Sequence, residues 1–139
     1  MSKINYNGVS VTLPAGWEDG TKLVAFGPSE GPFRSNIVIS SEPLTKGDSV
    51  EQFANRQILL MAENLSEFKK LKGGKATHGA NSGFTTECSF TVGNQRLAQI
   101  HFYILGNKQA FLLTFTTVSE HLEKGRLAVE RLFASAAVT

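Results

Sequence analysis

At 139 residues, 41% hydrophobic and 19% charged, the chain can bury a core and lacks the composition of a disordered segment. A formal net charge of +2, from 14 basic and 12 acidic residues dispersed along the chain, gives no argument for nucleic acid as a partner. The lone cysteine, Cys88, excludes an internal disulfide, and no stretch is apolar for long enough to span a bilayer. The N-terminus Met1-Ser-Lys-Ile-Asn-Tyr6 has no signal-peptide core. These features lead to the expectation of one cytoplasmic domain over residues 1–139, without direct insertion into a membrane.

In chain order, Ile4 to Leu13 alternates apolar and polar residues around Asn7-Gly8 and reads as a strand pair or one bent strand. Pro14-Ala-Gly-Trp17 breaks it, and Trp17 is expected to cover one end of the core. Lys22 to Phe26 is a short strand. A loop with Gly27, Pro28, Gly31 and Pro32 follows. Ser35 to Ser41 is the next strand, with Ile37 and Ile39 on one side and Asn36, Val38 and Ser40 on the other.

A helix is expected from Asp48, as N-cap with Glu51 at the capping-box position, to about Leu71. Val50, Phe53, Ala54, Gln57, Ile58, Met61, Leu65 and Phe68 fall along one side of it. Gln57 is an amide inside that apolar stripe. Lys69, Lys70, Lys72 and Lys75 suit the helix's negative end, before Gly73-Gly74, and Lys75 to Ala80 is a candidate short strand.

Gly83 to Val118 reads as three strands joined at Gly93-Asn94 and Gly106-Asn107, residue types that two-residue hairpin turns favour. That register sets Cys88 opposite Gln99 and Thr86 opposite His101. With Leu105 opposite Lys108, it also sets Gln99 opposite Thr114. One face then carries Ala98, Ile100, Phe102, Ile104, Phe111, Leu113 and Phe115, and is the predicted core. The other, with Thr86, Cys88, Gln99, His101 and Thr114 among apolar residues, is mixed. Ser119 is the expected cap of a last helix whose inner side is Leu122, Val129, Leu132, Phe133 and Ala136. Gly125 within it suggests close approach to the sheet. Strands, helix, strands and helix make an α+β fold, an antiparallel sheet with helices packed on it.

The chain has no Walker loop, dinucleotide fingerprint, nucleophile elbow or metal-ligand spacing. His78, His101 and His121 are scattered. A His101 base with a Thr86 or Cys88 nucleophile is weighed against a buried histidine bonded to its neighbours, and the second is favoured. Glu87, beside Ile100 on the apolar face, is expected to reach solvent at an edge. No enzyme, cofactor or metal is expected. The mixed surface, with Asn36, Ser40, Gln57 and Gln99 among Val38, Met61 and Leu65, offers aliphatic contact plus amides. That combination suits a transmembrane helix, whose small residues bare backbone polar atoms. Amides satisfied within an ordinary core are the competing reading.

The run Tyr6-Asn-Gly-Val-Ser-Val-Thr-Leu-Pro-Ala-Gly-Trp17, then Asn36-Ile-Val-Ile-Ser40, then Phe53-Ala-x-x-Gln57 and the closing hairpins and helix resemble the Eag chaperones of type VI secretion. These sit in the wider DcrB and PsbP-like family with its Mog-type α/β/α sandwich. The resemblance implies a cytosolic homodimer. It also implies a partner: an effector with N-terminal transmembrane helices and a PAAR domain, shielded until it loads onto the VgrG spike. The groove it implies comprises Val38 and Ser40 on a strand, Gln57, Met61 and Leu65 on the helix, and Gln99 on a later strand. Leu23 and Ala25 form its early aliphatic pair, and Asn36 stands where a serine is expected. A protein-binding regulator of the same fold and a small-molecule binder are the competing classes.

Overall fold

The computed structural model describes residues 3–28, 31–44 and 47–138. In order these form β1 (Lys3–Tyr6), β2 (Val9–Thr12), β3 (Leu23–Phe26), β4 (Asn36–Pro43), α1 (Val50–Asn64) and β5 (Ser66–His78). β6 (Asn81–Val92), β7 (Gln95–Leu105), β8 (Gln109–Val118), a short 3-10 turn and α2 (Leu122–Ser135) complete the chain. β1 and β2 pair only with each other, through a turn in which Asn7 and Gly8 both take positive φ. The other six strands make one antiparallel sheet in the order β3-β4-β8-β7-β6-β5, with a helix on each face. This is the expected α+β sandwich.

The β6–β7 hairpin turns at Gly93, whose φ is +61°, and has the expected register: Cys88 pairs with Gln99, and Thr86 with His101. The β7–β8 turn differs. Leu105 pairs with Ala110, so Gln99 lies opposite Thr116 and Ile100 opposite Phe115. The Gly106 N–H bonds the Gln109 carbonyl at 2.8 Å, closing a longer loop than the two residues expected, and Gly106 does not use positive φ. Because the shift is even, the side chains keep their faces. The apolar face is the core under α2, where Ile37, Ile100, Phe102, Leu113 and Phe115 meet Leu122, Val129 and Phe133. A Cβ on Gly125 would lie 2.9 Å from the Phe115 ring, so α2 does approach the sheet closely there.

Four local expectations are corrected. Ser49 is the N-cap of α1, with Gln52 completing the capping box, while Asp48 pairs with Arg56 at 2.8 Å. The helix ends at Asn64, not Leu71, and Ser66–His78 is the edge strand beside β6. Pairing with β6 satisfies backbone groups along that strand, and this outweighs the helical propensity of the lysine-rich segment. Its lysines therefore guard a sheet edge rather than a helix end. Trp17 covers no core: it is 68% exposed beyond a turn closed by its N–H on the Pro14 carbonyl. Ser119 opens the 3-10 turn without capping it, and its buried Oγ has no hydrogen-bond partner among the described residues.

Candidate functional site

The mixed face can be followed across the sheet by register. Phe26, Asn36, Thr116, Gln99 and Cys88 form one row, and Val24, Val38, Thr114, His101 and Thr86 the next. Ser40, Leu112, Tyr103 and Phe84 form a third. Helix α1 covers the β6–β7 side. Phe53 meets Tyr103 edge-on at 5.7 Å, and Met61 and Leu65 pack toward Cys88, Phe90 and Leu97. Phe33, from the loop before β4, joins that last cluster. Leu112 of β8 is buried in the same cluster as Phe53 and Ala54 of α1, but toward β3 and β4 no helix lies over the face among the described residues. Asn36, Val38, Ser40 and Thr114 are half-buried there, and Val24 and Phe26 are exposed. The result is a shelf walled on one side by α1.

The structure brings together most of the residues expected there. Asn36, Val38, Ser40 and Gln99 share the shelf's face, and α1 contributes Gln57 and Met61 to its inner wall, with Leu65 just after the helix. Gln57 reaches β4, its Nε2 lying 3.5 Å from Glu42 Oε2. Leu23 and Ala25 do not join them. They pair with Ile39 and Ile37 and so lie on the opposite face, beside α2. Alternation puts Val24 and Phe26 on the shelf instead. Thr116 and Glu42 were also missed. Thr116 was hidden by the two-residue register shift, and Glu42 lay one residue past the end set for its strand.

Beneath the shelf runs a chain of hydrogen bonds whose directions can be assigned. Gln99 Oε1 can only accept, so His101 donates to it through Nε2–H at 2.8 Å. His101 Nδ1 then accepts from the Thr86 hydroxyl at 2.7 Å, and Thr86 accepts from Tyr103 at 2.8 Å. Gln99 Nε2 donates to Thr116 Oγ1 at 3.0 Å, and its second N–H has no acceptor among the described residues. Gln99 is thus oriented by a buried, neutral histidine.

This arrangement does not suit nucleophilic chemistry. Burial pushes the Cys88 thiol up to about 12, away from the thiolate that reacts. His101 is fully buried, and desolvation lowers its pKa to about 4. The neutral form is the one the hydrogen-bond chain requires. A depressed histidine pKa means that the unfolded chain binds the extra proton first. The stability contributed is therefore complete above about pH 6.5 and is lost as pH falls toward 4. The loss expected from this group between pH 7 and 4.5 is about 2 kcal/mol. Urea unfolding of the wild type and of His101→Gln at both pH values checks it: the variant's stability should fall less. Equal falls would remove His101 as the source.

On the α2 face, Glu87 is not at a solvent-reaching edge, since β5 covers β6. It is buried, and Arg126 grips both its carboxylate oxygens at 2.7 and 2.8 Å. Arg126 also bonds Glu123, and the two carboxylates raise the guanidinium's pKa. A cleft of about 320 Å3 opens on the same face between α2 and β3–β4, lined by Ala25, Ile37, Phe115, Ala128 and Leu132 among others. Among the described residues no three His, Cys, Asp or Glu side chains converge to hold a metal ion, and no helix is long and apolar enough to cross a membrane.

A family model described as DcrB matches residues 9–135. No curated protein matches the chain. Among solved structures, PA94 from Pseudomonas aeruginosa, a protein of unknown function described as a candidate regulator, is 16% identical. It is matched over 100% of this chain and 97% of its own, with a TM-score of 0.77. The cyanobacterial PsbP (CyanoP) of Synechocystis sp. PCC 6803 is 9% identical over 94% of this chain and 86% of its own, at a TM-score of 0.61. LpqN of Mycobacterium tuberculosis, involved in cell envelope biogenesis, is 14% identical over 82% of each chain, at 0.55. At such identities these likenesses establish a shared fold.

Proposed function

The chain belongs to the DcrB family, and from that premise we propose that it is a cytoplasmic type VI secretion chaperone, acting as a homodimer. Its partner is an effector with N-terminal transmembrane helices and a PAAR domain. The protein holds those helices out of water until the effector loads onto the VgrG spike, and does so by binding, without turnover. The observation that carries this reading is the shelf. It places half-buried aliphatic side chains, Val38, Met61 and Leu65, beside two amides, Gln57 and Gln99, whose hydrogen-bonding capacity is only partly used among the described residues.

An apolar helix laid on such a surface finds the dispersion contact of a bilayer neighbour together with donors for backbone oxygens bared at small residues. Met61 supplies an adaptable surface for helices of different sequence. The open half of the face accommodates a helix from outside, since α1 occupies only the other half.

Co-expression with an N-terminal apolar effector segment tests this. The segment is expected to stay soluble and co-purify with the chain. Gln57→Ala with Gln99→Ala should weaken capture by about 30-fold, at roughly 1 kcal/mol for each of the two hydrogen bonds lost. An insoluble segment, or equal capture by the double variant, would count against the shelf.

A further inference from the structure

The cleft on the α2 face lies across the sheet from the shelf, and the helix-binding reading does not use it. About 320 Å3 is open there between the inner side of α2 and the strands β3 and β4. Ala25 on β3 and Ala128 on α2, both small and exposed, stand on either side of it, so neither element closes on the other. Clefts of such size, apolar with a few placed polar groups, are where small molecules bind.

Polar and apolar lining are sorted along the cleft. β8 ends at Val118 and α2 begins at Leu122, so Thr117, His121 and Lys124 gather at one end. Ser35 joins them, its hydroxyl sharing a 2.8 Å hydrogen bond with that of Thr117. Whichever of the two donates, the other keeps an O–H with no acceptor among the described residues. Toward the other end the helix contributes Ala128, Val129 and Leu132, with Ile37 and Phe115 on the sheet. His121, Lys124, Gly125, Ala128 and Leu132 recur every three or four residues, so they form one stripe of the helix, about 16 Å long. Its character changes once, from hydrogen-bonding to aliphatic.

Charge follows the same division. The polar end has an ammonium, an imidazole and a hydroxyl, and no Asp or Glu is among the described lining residues. The Glu123 carboxylate, beside Lys124 in sequence, is turned to Arg126 instead. Donors of this kind suit an anionic oxygen group, to which charge-assisted hydrogen bonds are the stronger ones.

We propose that the cleft binds a small carboxylic acid with an unbranched aliphatic body. Its carboxylate lies at Ser35, Thr117, His121 and Lys124, and its chain runs along Ala128 to Leu132 over Ile37 and Phe115. At about 30 Å3 per non-hydrogen atom, the share that a water molecule takes, the cleft holds about ten such atoms, the size of an eight-carbon acid. This site is separate from the shelf and is tested without any effector segment.

The test is a titration of sodium octanoate into the isotopically labelled full chain, followed by its amide resonances. Saturable shifts are expected at Gly125, Ala128 and Leu132 of α2 and not at Gln57 and Met61 of α1, with a dissociation constant below about 1 mM. Ala128→Phe, at an exposed position, should fill the cleft and weaken binding at least about tenfold, with the circular dichroism unchanged. Lys124→Met should weaken octanoate about fivefold and leave octanol, which has the chain without the charge, within about twofold of its wild-type affinity. Absence of saturation by about 10 mM octanoate, shifts confined to α1, or wild-type affinity in Ala128→Phe would overturn the site. Octanoate and octanol weakened alike by Lys124→Met, or neither weakened, would overturn the place of the carboxylate.

Discussion

Replacing Gly83 with alanine is expected to destabilise the protein by at least about 3 kcal/mol. The Cβ of that alanine would overlap the carbonyl oxygen of Tyr103 and sit 3.1 Å from the Phe102 ring. The first contact is with backbone, which no rotamer change relieves, so β6 and β7 must part. The separation would open next to the Phe84–Tyr103 pair, and Tyr103 is the start of the hydrogen-bond chain that orients Gln99. Gly74→Ala is the control. Gly74 lies in β5 with nothing within 4 Å of the added carbon, and its substitution should change stability by less than about 1 kcal/mol. Thermal or urea unfolding of both variants decides the matter. Similar stability for the two would mean that the approach at Gly83 is readily relaxed.

Removing Arg126 is the second large change. Arg126→Ala leaves the buried Glu87 carboxylate with Lys72, 3.7 Å away and largely in solvent, as its remaining cation. The cost of a buried charge stripped of its partner is about 3 kcal/mol. Replacing both members, Glu87→Leu with Arg126→Met, should recover most of it, because an apolar pair of similar size carries no desolvation penalty. Urea midpoints of the wild type, Arg126→Ala and the double variant form the test, and a loss below about 1 kcal/mol for Arg126→Ala would show that the pair holds little of the fold together. The Glu87–Arg126 pair lies on the α2 face, off the shelf, so the folded fraction of its variants should still capture an apolar helix.

The consequences for function follow from the division of the mixed face. An amide in an apolar stripe, Gln57, and an amide in an apolar strand, Gln99, can each be core defects or parts of a binding surface. The oxygen and one N–H of Gln99 serve the chain, and its second N–H has no acceptor among the described residues. Among the described residues, the hydrogen bond that holds the Gln57 amide to the sheet is a long one, 3.5 Å to Glu42. Asn36 is likewise tied only weakly, at 3.4 Å to the Arg34 carbonyl.

Much was legible from residues alone. Period-two alternation with Gly93-Asn94 fixed the faces and the β6–β7 register, and the stripe through Phe53, Ala54 and Ile58 identified the buried side of α1. Those signals are local, since a turn and a pleat are decided by neighbours in sequence. What lay between long-range partners was not legible. Leu65 to Leu71 has a helical pattern, yet from Ser66 onward it pairs with β6. Glu87 looked like an exposed edge residue until β5 covered it and α2 brought Arg126 to it. Leu23 and Ala25 could be given a face only once pairing with Ile39 and Ile37 set the register of a four-residue strand.

The amino-acid sequence by itself therefore determined the α+β class, the apolar face that takes α2 and the polar residues that salt the other face, because alternation and turn chemistry act within a few residues. Only the tertiary structure decided that α1 covers half of that second face. It also decided that His101 is neutral beneath Gln99 and that, among the described residues, β3 is an edge strand and the first hairpin pairs only within itself. Each of these depends on which distant segments meet, and burial, desolvation and edge exposure exist only after they have met.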